Sequence, residues 1–367
     1  MCGIIGCLLK EKGIDIQKIA IKVLNLLKNR GYDSCGLYLN NKQNEKIIEK
    51  LGIDGELVKK YKENNDNRDI FMHLEERLNK ITNSKKDYNV CIGHSRWATH
   101  GGKTDENSHP HSSSDGSIII VHNGIISNFE ELKNKYIPDW KLKSVTDSEV
   151  VANLIQYYKE TGMEMMKILE TLTNEMDGTW ALLIHDNKDN NDKLYFMKNE
   201  SPLLISENDN IKILTSEPSG FLNMTEKYIL LREKTFGYVD KENTVVIGDH
   251  KVMDVIKSND NEIDLPLEYD TWLMKEIEDQ QYLKVLHDPL NNKLRFENNK
   301  ILLNFEMIKK CKYLYIIACG SSYYAGLIAS NYFRFTKAFE FVNVIDGGEF
   351  TKAHLETIEN PEEDLLV

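Results

Sequence analysis

Cys2-Gly3-Ile4-Ile5-Gly6-Cys7-Leu8-Leu9 opens the chain, a reactive side chain followed at once by an apolar run without a charge. Such a run reads as a short buried strand, with the cysteine at its start and a flexible glycine beside it. Helical spacing follows it. Ile16, Ile19, Ala20, Val23, Leu24 and Leu27 form one apolar stripe over Asp15 to Asn29, with lysines opposite. The turn-rich Arg30-Gly31-Tyr32-Asp33 then leads into a second short strand, Gly36 to Leu39.

Further along, residues 60–70 and 83–89 are polar and read as surface loops around a helix from Phe71 to Ile81. Strands are predicted at Val90 to Gly93 and Ile118 to Val121, and helices at Asp147 to Thr161 and Glu164 to Glu175. Short strands resume at Trp180 to His185, Lys193 to Met197, Leu203 to Ser206, Ile211 to Thr215, Tyr228 to Leu231 and Thr244 to Ile247. Strands, a helical pair and strands again predict stacked antiparallel sheets covered by helices, an α+β arrangement. Residues 248–269, polar and ending near Leu265-Pro266-Leu267, read as a linker. Beyond it come a helix at Trp272 to His287, a buried strand Tyr313 to Ala318, a helix Tyr323 to Phe335 and a strand Phe339 to Ile345. A helix Glu349 to Glu356 and a strand starting at Leu365 complete a β-α-β-α-β order, which implies a parallel α/β sheet.

The 367 residues suit two domains, and 41% hydrophobic with 28% charged residues is an ordinary globular balance. A net charge of -12 argues against nucleic acid as the main partner. No apolar run reaches the roughly 20 residues of a membrane helix, and the first residues lack a signal-peptide pattern, so the expected location is cytoplasmic. Six cysteines at 2, 7, 35, 91, 311 and 319 show neither a CxxC pair nor a disulfide framework. Buried, reduced thiols are the default for most of them.

Cys2 is the exception because of its position. If Met1 is removed, one residue carries both a thiol and a free α-amine. A thiol near pKa 8.5 is a poor nucleophile until its proton is taken, and an α-amine near 7.7–8.0 is a usable base at neutral pH. Other segments are rich in donors: Arg30-Gly31-Tyr32-Asp33-Ser34, His94-Ser95-Arg96-Trp97-Ala98-Thr99-His100-Gly101-Gly102, His109-Pro110-His111, Val121-His122-Asn123-Gly124-Ile125-Ile126 and Thr146-Asp147-Ser148-Glu149.

Together with Cys2, these segments resemble the glutaminase domain of the class II, N-terminal-nucleophile amidotransferases. Their wording is closest to the isomerising glutamine–fructose-6-phosphate aminotransferase family, over about residues 2–245. The resemblance implies a four-layer αββα domain of the N-terminal-nucleophile hydrolase type at 2–247, which hydrolyses L-glutamine through a Cys2 thioester. It implies an oxyanion hole from Asn123 and Gly124, Arg96 on the substrate α-carboxylate, Asp147 on the α-ammonium, and Thr99 and His100 holding the ligand. Trp97 would lie in a mobile part of the site, and Arg30 near the Cys2 amine. No cofactor and no metal is implied. Each residue also has a plainer reading. Asn123-Gly124 fits a two-residue hairpin turn, Asp147 fits a helix N-cap, and the five histidines at 94, 100, 109, 111 and 122 resemble a metal cluster without alternating acidic ligands. His109 and His111 suit loop-fixing hydrogen bonds.

Ala318-Cys319-Gly320-Ser321-Ser322-Tyr323-Tyr324-Ala325-Gly326 resembles the first loop of a sugar isomerase (SIS) domain, where Gly320, Ser321 and Ser322 would meet a sugar phosphate. Ser321 or Ser322 as a simple helix cap is the plainer reading. Met274 to Gln280 resembles the helix before that domain, but Asp279-Gln280-Gln281 departs from the family's Glu-Gln-Pro, and Gly348 stands where a serine is usual. Residues 270–367 are therefore expected to form an incomplete SIS domain, since the family's next phosphate loop and second isomerase domain lie beyond Val367. Glucosamine 6-phosphate is not expected from this chain alone. Candidate partners are L-glutamine, fructose 6-phosphate, a second copy of the chain or a complementing synthase subunit. Two rival readings are the glutaminase part of another class II amidotransferase and a non-catalytic, sugar-phosphate-sensing subunit.

Overall fold

The computed structural model describes residues 2–255 except 12, 42, 44, 67, 83–87, 99, 100 and 189–191. It also describes residues 311–350 except 338, residue 274, and the backbone of 364–366 and of residue 29. The chain divides into two units, Met1–Trp272 and Leu273–Val367.

The strand expected behind Cys2 is β1 (Gly3–Leu9), and it lies inside a sheet of eight. On one side it pairs with β4 (Tyr88–Arg96), then β2 (Ser34–Asn41) and β3 (Lys46–Gly52). On the other it pairs with β10 (Ile211–Thr215), then β9 (Leu204–Glu207), β11 (Lys227–Leu231) and β14 (His250–Asp254). A second sheet runs β13 (Thr244–Ile247), β12 (Thr235–Val239), β8 (Leu194–Asn199), β7 (Gly178–Asp186), β6 (Ile118–Ile126) and β5 (His111–Ser112). All the pairings in both sheets are antiparallel.

Side-chain alternation along β1 decides the layering. Ile4 and Leu8 enter a core shared with Ile119, Val121, Leu183 and Phe196 of the second sheet, so the two sheets stack face to face. Ile5, Cys7 and Leu9 point the other way, onto α1 (Ile16–Leu26) and α3 (Ile70–Thr82). The far face of the second sheet is covered by α4 (Phe129–Tyr136), α5 (Asp147–Glu160) and α6 (Met165–Glu175). The result is the four-layer αββα stack. Asp15 caps α1 by accepting from the Lys18 N–H at 3.1 Å, and Thr146 caps α5.

Several expectations are corrected. Asn123-Gly124 is not a hairpin turn, because β6 runs straight through it to Ile126 and pairs with β7. The segment read as loop from residue 60 begins inside a helix, α2 (Glu56–Glu63), whose only buried side chain is Val58. The stretch read as linker from 248 contains β14, an edge strand with four of its five residues exposed. β3, β12 and α4 were not anticipated. β3 lies at an edge of its sheet and α4 buries Leu132 alone, so neither displays a full apolar pattern.

In the second unit, β15 (Tyr313–Ala318) is flanked by β16 (Phe341–Asp346) and β17 (Asp364–Leu366), both parallel to it. α7 (Gly320–Thr336) begins at Gly320, three residues before the expected Tyr323, so Ser321 and Ser322 lie in its first turn. Neither gives the helix a side-chain cap. The helices expected at Trp272–His287 and Glu349–Glu356 lie outside the described residues, apart from helical Met274 and the loop residues 349 and 350.

Candidate functional site

Cys2 stands just ahead of β1, beside the end of β4, since Gly3 pairs with Ser95. Its sulfur accepts the Trp97 N–H at 3.2 Å and lies 3.5 Å from the Trp97 carbonyl. This contact depends on a close approach of backbones. At the end of the turn Leu27–Arg30 that extends α1, a Cβ on Gly31 would meet the Arg96 carbonyl carbon at 2.5 Å and the Trp97 nitrogen at 2.7 Å. Only glycine lets Arg30 and Trp97 share the rim beside Cys2.

The second sheet contributes Asn123. Its Nδ2 donates to the Cys2 carbonyl at 2.8 Å, and its Oδ1 accepts from His94 Nε2 at 2.9 Å. His94 Nε2 also faces the His122 carbonyl at 3.0 Å, so both of its partners are acceptors and this nitrogen carries the proton. The Asn123 amide is thereby oriented with nitrogen toward Cys2. Gly124 follows with φ +132°, and a Cβ there would lie 2.0 Å from the Thr179 carbonyl oxygen. That backbone is open to glycine alone.

Asp147 is the first residue of α5, not its cap. Its carboxylate accepts from the Ile126 and Ser148 N–H groups at 2.9 and 2.8 Å. Arg96, at the end of β4, is 5% exposed and donates from Nη1 to the Gly102 carbonyl at 3.2 Å. Burial lowers the Arg96 pKa, and Cys2, Asp33 and Asp147 oppose that fall. Arg96, Asp147, Cys2, Trp97 and Gly124 line one narrow polar slot of about 30 Å³. A wider cleft of about 410 Å³ opens on the other side of Cys2, lined by Arg30, Trp97, Asn123, Gly124, Ile125 and the 200–202 loop among others. Burial pushes the Cys2 thiol up. The Trp97 N–H and the positive charges of the chain's amino terminus, Arg96 and Arg30 partly offset this.

Seven of the expected residues therefore converge: Cys2, Arg30, Arg96, Trp97, Asn123, Gly124 and Asp147. Thr99 and His100 lie outside the described residues. Gly320, Ser321 and Ser322 belong to the other unit. Arg30 carries an ion-pair partner that sequence reading missed, Glu217, which follows β10. Tyr32 meets the Trp97 ring edge-on at 5.5 Å. Asn107 and Thr179 also adjoin the site, and neither stands in a segment whose spacing marks it.

His94, His109, His111 and His122 pack together as a wall. His94 and His109 stack at 4.1 Å, His109 meets His111 at 4.5 Å, His111 Nε2 lies 3.1 Å from Thr146 Oγ1, and His122 Nδ1 lies 2.9 Å from Ser148 Oγ. Burial holds all four below the usual imidazole range, His94 at about 3. Among the described residues no group of three or more His, Cys, Asp or Glu is arranged to hold a metal ion.

The four-layer fold is of the N-terminal-nucleophile hydrolase type. The family profile described as a glutamine amidotransferase domain matches residues 51–256, and the chain belongs to that family. It is similar to the isomerising glutamine–fructose-6-phosphate aminotransferase of Bacillus subtilis, with 30% identity over 90% of this chain and 52% of the relative. The enzyme of the same name from Staphylococcus epidermidis is 32% identical over the same shares. The chain spans about half the length of these relatives. A solved structure titled as the allosteric regulatory enzyme of purine biosynthesis matches with TM-score 0.50 and 21% identity, over 70% of this chain and 50% of that one. That likeness concerns the fold alone.

Proposed function

We propose that this chain binds L-glutamine and hydrolyses its side-chain amide to glutamate and ammonia through a thioester on Cys2. The observation that carries the reading is the convergence of Asn123 Nδ2, Arg96 and Asp147 on the half-buried Cys2, from three separate elements. The Cys2 thiol gives up its proton and its sulfur bonds to the amide carbon. Asn123 Nδ2 and the Gly124 N–H take the negative oxygen that develops. A proton passes to the amide nitrogen, the C–N bond breaks and ammonia leaves. Water then attacks the thioester, the C–S bond breaks, and glutamate departs with the thiol restored. Because burial raises the thiol pKa, a base is required, and the Cys2 α-amine freed by removal of Met1 supplies it. Arg30 shapes the surroundings of that amine.

Arg96 takes the substrate α-carboxylate through a charge-assisted bond, and Asp147 takes the α-ammonium. The polar slot between them, about 30 Å³, is small for an amino acid, so glutamine enters as Trp97 moves away from it. Thr99 and His100 complete the ligand shell.

The parallel strands β15, β16 and β17, with α7 following β15, support the reading of residues 270–367 as part of a SIS domain with Gly320, Ser321 and Ser322 toward a sugar phosphate. The ammonia would then serve transamination of fructose 6-phosphate in a longer assembly, with a second copy or a synthase subunit as partner. Free cysteines throughout, including Cys7 opposite Cys91, support a reducing compartment such as the cytoplasm. Among the described residues no helix is long and apolar enough to cross a membrane.

Cys2→Ala decides the central claim. Glutamine hydrolysis is expected to vanish, while Cys7→Ala and Cys35→Ala retain it per folded molecule. Intact mass of the active protein is expected to begin at Cys2. Hydrolysis above a trace in the Cys2 variant, or full activity with Met1 retained, would overturn the mechanism.

A further inference from the structure

We infer that Asn107 is a positioning residue that sets the separation of the two charged ends of the glutamine site, an inference that rests on the roles just given to Arg96 and Asp147. Asn107 is 8% exposed and lies in the segment between β4 and β5. Its Nδ2 donates to the Gly102 carbonyl at 3.1 Å, the same oxygen that accepts from Arg96 Nη1 at 3.2 Å. Its Oδ1 accepts the Val145 N–H at 3.2 Å, two residues before Asp147. A peptide N–H only donates and a peptide C=O only accepts, so the amide has a single orientation.

The two arms that Asn107 joins are each anchored elsewhere. The 103–108 segment is held to β3 and the turn after it. Lys50 Nζ donates to the Ser108 and Glu106 carbonyls at 2.8 and 3.2 Å, and the Gly52 N–H donates to Asp105 Oδ1 at 2.8 Å. The Asp54 N–H adds a bond to the Lys103 carbonyl at 3.0 Å. The 143–147 segment is held by the Glu149 carboxylate, which accepts the Lys143 and Ser144 N–H groups at 2.8 and 2.5 Å. Losing the Asn107 amide therefore leaves both arms folded and frees only their spacing. Spacing matters for one kind of ligand. An α-amino acid carries its carboxylate and ammonium on the same carbon, so Arg96 and Asp147 must converge on a single point. A small electrophile that reaches Cys2 without those charges makes no such demand.

The test compares wild type, Asn107→Ala and the isosteric Asn107→Asp, which keeps the Val145 acceptor and loses the donor to Gly102. Cys2 is labelled with a glutamine-shaped diazoketone and, separately, with iodoacetamide, and glutamine hydrolysis is followed alongside the melting temperature. Asn107→Ala is expected to slow diazoketone labelling and to raise KM by roughly tenfold, the scale of one or two lost hydrogen bonds. Its iodoacetamide rate and kcat are expected to stay within about a factor of two, with Asn107→Asp between it and wild type. Equal slowing with both reagents, or wild-type rates with both, would overturn the positioning role. A wild-type protein whose Cys2 the diazoketone does not label would instead remove the glutamine reading, and this inference with it.

Discussion

Asn123 meets two demands with one amide. Its oxygen is held by the His94 Nε2 proton and its nitrogen faces Cys2, so turning the amide over would place like against like at both ends. A preorganised donor of this kind acts as charge appears on the oxygen, not when substrate binds. Asn123→Ala is therefore expected to lower kcat by roughly 10²–10³ with little change in KM. Steady-state kinetics beside a melting curve separates this from a purely structural asparagine, which would lower melting temperature and leave kcat per folded molecule intact. Most of this site was legible in the sequence because its residues sit in dense local clusters. The dipeptide Asn123-Gly124 alone could not say whether it turned or continued, and only its pairing with Ala181 and Trp180 answers that. Glu217 and Asn107 were not legible. Each is ordinary in its own neighbourhood, and its partner is Arg30 or Gly102 and Val145, reached only through the fold.

Elements bring a second consequence through the histidine wall, which stands where β4, β5, β6 and α5 meet. His94, His109, His111 and His122 are fully or nearly buried, and each is held neutral by that burial. Unfolded, each would take up a proton near pH 6.5, so the unfolded chain binds more protons than the folded one below that value. Stability is then fully present above about pH 6.5 and falls with pH down toward about 3, the value for His94. Melting temperature measured from pH 7.5 downward should drop steeply below about 6.5, and Asn substituted at His109 should soften the drop. A flat profile to pH 5 would contradict the neutral, buried wall. At this scale the sequence showed best the elements with a complete apolar face, such as α1 and β10. It hid β3, β14 and α4, in each of which most residues are exposed or only half-buried.

For the whole molecule, among the described residues the apolar cores of the first unit draw their members from Ile4 to Val255. Residues 1–255 expressed alone are expected to fold and to hydrolyse glutamine at a rate within about threefold of the full chain, since no group placed in the site lies beyond them. An insoluble or inactive product would show that the second unit completes the first. The order in which the chain is made adds a constraint. β1 has its β4 edge once residue 96 exists, but its other edge, where Ile5 faces Thr215, stays open until β10 is translated. The Ile4 N–H is bonded to Ser216 Oγ, and the Ile4 carbonyl accepts from Thr215 Oγ1 and the Ser216 N–H. The strand that carries the proposed nucleophile is thus among the last to be fastened. A growing polypeptide shorter than about 216 residues leaves that edge of β1, and Cys2 ahead of it, unfastened, so on the proposed mechanism glutamine hydrolysis is expected to begin only when the surrounding layers are in place.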